Sequence, residues 1–149
     1  MYAPHVVTIY NVVHDVDTST MEDTTELHCT VLKGVFFDAS KGANVRQSGL
    51  EGADAVNLYI PFSVAATDGT TGKDKVYCDP QAFRQLADKS GAWTLSVKGD
   101  GTETFFVKGE YITDNEKQAR LHDDSYNVTK IDAKDFGSVD MRHWQVGGA

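Results

Sequence analysis

A chain of 149 residues and 16.3 kDa has room for one domain with one hydrophobic core, and needs neither disulfide nor structural metal to hold it. Apolar residues at 40% and charged residues at 24% exclude a disordered chain and a helical membrane protein. Lysine and arginine number 14 against 22 acids, and the net charge of -8 excludes a basic groove for nucleic-acid phosphates as the main function. The acid is unevenly spread. Asp15, Asp17, Glu22, Asp23 and Glu26 all precede the first lysine, Lys33, so this stretch alone carries -5. The only cysteines, Cys29 and Cys78, lie far apart in no metal-like spacing and read as free thiols in strands. With no basic-then-apolar leader and no apolar run long enough to span a bilayer, the expected compartment is the cytoplasm, without membrane attachment.

In chain order, Val6 to Val13 is an almost unbroken β-branched run and predicts a strand covered on both faces. Asp15 to Thr25 reads as a loop. Glu26 to Phe37 alternates, with Leu27, Cys29 and Val31 on one face and Glu26, His28 and Thr30 on a polar face open to solvent or an interface. Gly34 within it marks a bulge or a close backbone approach. Residues 38–52 read as a loop, and Ala53 to Phe62 as a strand with Val56, Leu58, Ile60 and Phe62 inward. Residues 63–74 read as another loop, mobile around Ala66 to Lys73 because of its Gly and Thr content.

Asp79-Pro80 places a cap and a first-turn proline at the start of a short helix. Its apolar stripe is Phe83, Leu86 and Ala87, and it ends near Gly91. Trp93, Leu95 and Val97 make a strand face, and Gly99-Asp100-Gly101 reads as a hairpin turn into a strand over Thr104 to Gly109. A second helix over Asn115 to His122 rests on Ala119 and Leu121. Tyr126 to Ile131 and Asp140 to Val146 are closing strands, separated by a loop over 133–139. The expected fold is a single mainly-β domain over 1–149. It is a small β-barrel or sandwich of about eight strands, with one or two short helices and long loops.

Few patterns point to chemistry. From Asp15, oxygen-bearing side chains fall at positions 1, 3, 5, 9 and 12 of a calcium loop. Position 6, which needs glycine for its sharp turn, is Thr20, and both flanks read as strands rather than helices. A solvated β–β loop of strongly negative charge is the plainer reading. His5, His14, His28, His122 and His143 have no ligand spacing. No nucleophile elbow, phosphate-cradling glycine loop or Cys–His pairing occurs, so neither an enzyme nor a cofactor is expected. Aromatic residues at strand ends and in loops, including Tyr77 and Trp144, suit either core filling or an interface with other subunits.

A series of short signatures runs along nearly the whole chain. They are Thr8-Ile9-Tyr10-Asn11, Lys33-Gly34-Val35-Phe36, Gly49-x-x-x-Ala53-Asp54, Tyr59-Ile60-Pro61, Tyr77-x-x-Pro80, Gly91-x-Trp93-Thr94, Phe106-Val107-Lys108-Gly109-Glu110 and His143-Trp144. In this order they are similar to an uncharacterised family from the structural gene modules of tailed phages of gut Firmicutes, near the head–tail joining genes. That family resembles the small β-barrel neck proteins called stopper or head-completion proteins. The resemblance implies a virion protein assembled in the host bacterial cytoplasm, a homo-oligomeric ring of about 6 or 12 copies. Its partners would be the portal or adaptor and the tail proteins, and packaged DNA would pass through without sequence-specific binding. This chain departs from the pattern by inserting Gly101 to Phe105 into the hairpin before Val107-Lys108-Gly109.

Under that reading the acidic stretch Asp15, Asp17, Glu22, Asp23 and Glu26 faces the channel, where negative charge leaves DNA free to slide. The loop with Asp68, Gly69 and Gly72 is the candidate gate, and Lys41, Arg46, Tyr77 and Trp144 are candidate intersubunit contacts. The alternatives are a tail-terminator or adaptor-type connector, and a soluble calcium-dependent binding module using residues 15–26.

Overall fold

A computed structural model describes residues 4–17, 19, 21–40, 45–46, 49–50, 55–97, 102–138 and 141–149. In chain order the elements are β1 (His5–Asp17), β2 (Glu22–Ser40), β3 (Val45–Arg46), β4 (Gly49–Leu50), β5 (Ala55–Pro61), β6 (Ala65–Asp68), β7 (Val76–Tyr77), α1 (Pro80–Gln85), β8 (Ala92–Trp93), β9 (Thr102–Lys108), α2 (Glu116–Arg120), β10 (Ser125–Lys134) and β11 (His143–Gly148). The fold is mainly β, as expected from the sequence.

Six strands pair antiparallel in the order β1-β9-β10-β11-β5-β2, and β2 pairs back with β1, giving a barrel-like ring. The closing strand is β2. Up to Val35 it pairs with β1, and from Phe36 to Ser40 it pairs with β5. Just before this change of partner stands Gly34, whose φ of 92° lies in the left-handed region, opposite a register shift between His5 and Val6. This is the bulge expected from the sequence: one extra residue bends the strand and increases its twist. β6 continues along the same edge of β2, pairing Ala65–Asp68 with Lys33–Thr30.

Inside the ring, Val7, Ile9, Leu32, Phe37, Leu58, Ile60, Phe106, Tyr126, Trp144 and Val146 form one buried cluster, joined by Trp93 and Leu95. β1 is buried on both faces, as its β-branched run predicts. Its outer residues Tyr10 and Val12 pack with Phe105, Val107 and Ala119 of α2. The inner face continues past the ring, where Val13 meets Phe83 of α1 and Ala92.

The inner face of β1 also carries a polar plug. Asn11 is fully buried and donates through Nδ2 to the Thr94 carbonyl at 2.7 Å and to Thr104 Oγ1 at 3.0 Å. Its Oδ1 accepts from the Thr94 amide at 3.3 Å. Thr104 Oγ1 also accepts from the Ser96 amide at 2.9 Å. The segment 92–96 therefore threads into the ring with the backbone amides and carbonyls of Thr94 and Ser96 paired, as a buried extended segment requires.

Several boundaries differ from the sequence reading. The expected loop 15–25 is mostly strand, because β1 runs to Asp17 and β2 starts at Glu22. Ladder pairing across the hairpin overrides the turn-like composition of that stretch. The expected loop 63–74 contains β6, and the expected loop 38–52 contains the end of β2 together with β3 and β4. β10 runs on to Lys134, past the expected start of its loop. α1 stops at Gln85 rather than near Gly91, since Leu86 turns extended (ψ 131°). The turn at Gly99-Asp100-Gly101 lies outside the described residues.

Among the described residues no atom lies within 4 Å of a Cβ built on Gly34, so it is the backbone conformation that favours glycine there. Gly34→Ala is expected to lower the unfolding free energy by about 1–2 kcal/mol in urea titrations, the cost of forcing a β-carbon into left-handed geometry.

Candidate functional site

The acidic stretch is built by the β1–β2 hairpin. Two long alternating strands stay in register from Val6↔Lys33 down to Asp17↔Glu22. β9 follows β1 only as far as Val13, and β6 begins on β2 only at Thr30. Among the described residues, His14–Asp17 and Glu22–Thr25 therefore pair with one another alone. They form a two-stranded arm standing out from one end of the ring. Met21, with φ 58°, closes its tip and is 80% exposed.

The arm holds Asp15, Asp17, Glu22 and Asp23, with Glu26 at its base. Asp17 and Glu22 occupy directly opposed register positions. By the same register, positions 15, 17 and 22 fall on the face of Val13 and Glu26, and position 23 on the face of His14 and Thr25. The arm thus gathers the five predicted acids onto one ribbon. Its backbone course differs from that of a calcium loop. A calcium loop coils its twelve residues around the ion, whereas here residues 15–17 and 22–26 lie in two paired strands. Among the described residues no three His, Cys, Asp or Glu side chains converge as a metal site would need.

His28 does not face solvent as its alternation suggests. α1 covers that face of the hairpin, so the His28 ring packs edge-on against Phe83 with centroids 5.8 Å apart. Its Nε2 lies 3.2 Å from Glu26 Oε2, with Glu26 63% exposed. Beside this base, a cleft of about 370 Å³ is lined by His14, Glu26, Gln81, Arg84, Gln85 and Lys89.

Asp68, Gly69 and Gly72 form a hydrogen-bonded turn on β6. The Asp68 carboxylate accepts from the Thr71 amide at 2.9 Å and from the Thr71 hydroxyl at 2.8 Å. The Gly72 amide donates to the Asp68 carbonyl at 2.9 Å, and the Gly69 amide to the Cys29 carbonyl at 3.0 Å. A β-carbon on Gly69 would stand 2.7 Å from Cys29 Sγ, so only glycine allows this approach.

Lys75, which no sequence pattern singles out, anchors the turn from within. Its side chain is 1% exposed, and Nζ lies 3.2 Å from Asp68 Oδ1, donating also to Thr30 Oγ1 (2.9 Å) and the Cys29 carbonyl (3.2 Å). Desolvation works to raise the Asp68 carboxyl, but the Thr71 hydrogen bonds and the Lys75 ammonium outweigh it and hold the group below its ordinary value. Burial pushes the neighbouring Cys29 thiol up to about 11, so it is protonated at neutral pH. Any reordering of this turn must break that network.

The proposed intersubunit residues separate. Lys41 lies outside the described residues, and Arg46 lies in β3 opposite Gly49. Trp144 is 9% exposed and belongs to the chain's own core. It packs on Phe62 and Tyr77 with centroids 4.4 Å apart in both cases, and on Trp93 at 5.6 Å. Burial of Tyr77, reinforced by the Asp79 carboxylate, raises its phenol above the ordinary value. These aromatic residues close one end of the ring, and Trp144 has little surface left for a neighbour.

Sequence reasoning also missed the Arg120 cluster on the outer face. Its guanidinium lies over the Phe105 ring at 4.2 Å and bridges Glu103 (2.5 Å) and Glu116 (2.9 Å). It also donates to Asn127 Oδ1 at 2.8 Å. The Glu116–Arg120 spacing of one helical turn was the available signal.

A family model matches residues 3–149, described as a family of unknown function (DUF6751). No curated protein and no solved structure matches the chain. Among the described residues no helix is long and apolar enough to cross a membrane.

The Asp68–Lys75 pair makes a pH-dependent contribution to stability. With the folded carboxyl held below its ordinary 3.8, the contribution is complete above that value and is lost as pH falls through the folded value. Lys75→Met is expected to cost about 3 kcal/mol at pH 7, because it leaves the Asp68 carboxylate, 11% exposed, without its buried cation. Urea unfolding from pH 7 to 2.5 should show the wild-type advantage shrinking only below pH 3.8.

Proposed function

We propose, from the premise that the chain belongs to DUF6751 across residues 3–149, that it is a structural protein of the phage head–tail connector. It assembles as a ring below the portal or adaptor, retains packaged DNA and docks the tail. The observation that carries this reading is the arm: a ribbon standing out from a barrel-like ring of strands, with acids and no lysine or arginine before Lys33. A channel traversed by DNA gains from such a surface. Each lysine or arginine on a phosphate would add attraction and drag, whereas carboxylates keep the duplex free to slide.

The resemblance to neck proteins supports the same reading through residues with identified places in the fold. Asn11 ties the inner segment to β1, Gly34 makes the bulge, and Trp93 and Trp144 close one end of the ring. A neck component works by holding its shape under the pressure of packaged DNA, so a signature made of fold-determining residues suits it.

A cryo-electron-microscopy map of phage particles carrying the protein tests the reading. The expected result is a ring of this fold between portal and tail with the arms toward the central passage. A ring at the adaptor or tail-terminator level would move the protein within the neck. Location on the capsid shell or tail tip would overturn the proposal. Arms on the outer wall would overturn their role toward DNA. The assembled Asp15→Lys/Asp17→Lys variant should bind free duplex DNA at low salt and release it as salt rises, where wild type binds none.

A further inference from the structure

The wall of the strand ring has a gap. β10 pairs with β9 only over Ser125–Asn127, against Val107–Phe105. At the next residues its register to β11 shifts, between Val128 and Lys130, and this bulge bends β10 away from β9. From Val128 to Lys134, seven residues, β10 pairs with β11 alone among the described residues. On the other side of the gap the Thr104 amide donates to the Ser96 carbonyl at 3.2 Å instead of to β10. A cleft of about 640 Å³ opens there over Leu95, Val97, Thr102 and Ile131, with Arg84 at its rim.

The arm presents the matching element. Along the edge of β2 that β6 later occupies, Glu22–His28 is unpaired among the described residues, again seven residues. Both stretches span roughly 23 Å at the rise of an antiparallel strand. Their charges are opposite in balance: Glu22, Asp23 and Glu26 on the arm, against Lys130 and Lys134 on β10, whose one acid, Asp132, lies 3.3 Å from the Lys130 ammonium. Lys130 is 72% exposed. Neither edge is stable left alone. An open strand edge recruits a partner, and a two-stranded ribbon with acids opposed at Asp17 and Glu22 is marginal by itself.

We propose that the β2 edge of the arm of one copy pairs with the free β10 edge of the next copy, adding a strand to its wall. The contact is head-to-tail, and repeated copies close into a ring where the rotation between neighbours divides a full turn. It rests on the reading that the chain assembles with itself, and it assigns the interface. Edge pairing uses backbone groups and leaves one face of the ribbon open to the passage.

Sedimentation velocity on the purified full chain, with circular dichroism to confirm folding, tests the contact. Lys130→Glu/Lys134→Glu and, separately, Glu22→Lys/Glu26→Lys should each raise the concentration for half-assembly at least about tenfold. An equimolar mixture of the two variants should recover assembly, because each supplies the charge the other's partner needs. Wild-type assembly that neither variant shifts would overturn this contact and leave the ring reading standing. A mixture that stays monomeric while each variant is folded would also overturn it. Wild-type protein monomeric throughout the accessible concentration range would overturn pairing between copies, and the neck assignment would then be decided by the particle map alone.

Discussion

The fold depends on one strand serving two partners. β2 must pair with β1 along its first part and with β5 along its last, and a straight strand of nineteen residues could not turn far enough to do both. Gly34 resolves this with a bulge that adds twist where the partner changes. Without it β5 and β11 would have no route back to β1, and the inner faces of six strands would lose their common core. The same long strand makes the arm, because β2 begins well before β6 joins it and β1 continues past the end of β9. Ring closure and the protruding hairpin are two consequences of one strand length.

Closing such a small ring leaves an interior that side chains from the strands do not fill unaided. The segment 92–97 enters it, bringing Trp93 and Leu95 into the core and burying backbone that must find partners. Asn11 and Thr104 supply them. The insertion of that segment also explains why β9 and β10 separate after three residue pairs: Ser96 occupies the Thr104 amide that a neighbouring strand would otherwise use. Filling the core and opening the wall are therefore linked. The apolar floor of the gap, Leu95 and Val97, belongs to the same inserted segment.

Much of this was legible in the chain. The β-branched run over Val6 to Val13 announced a strand buried on both faces, and Gly34 inside an alternating strand announced a bulge. Other features were hidden because local composition and long-range pairing disagreed. Asp, Thr and Ser around positions 15–25 read as a loop, yet the cross-strand ladder holds most of that stretch extended. His28 read as exposed by alternation, but α1, more than fifty residues later, covers that face. Lys75 carries no motif; it matters only because Asp68, Thr30 and the Cys29 carbonyl converge on it from two other strands.

The sequence by itself determined the mainly-β class, the bulge, and the concentration of acid before Lys33, because strand periodicity, glycine's access to left-handed geometry and charge are properties of short stretches. Only the tertiary structure decided that these acids sit on a paired arm rather than in a loop, that Trp144 fills the chain's own core, and that the wall opens between β9 and β10. Those outcomes depend on which distant segments meet, and strand pairing over a hundred residues of separation leaves no mark in local composition.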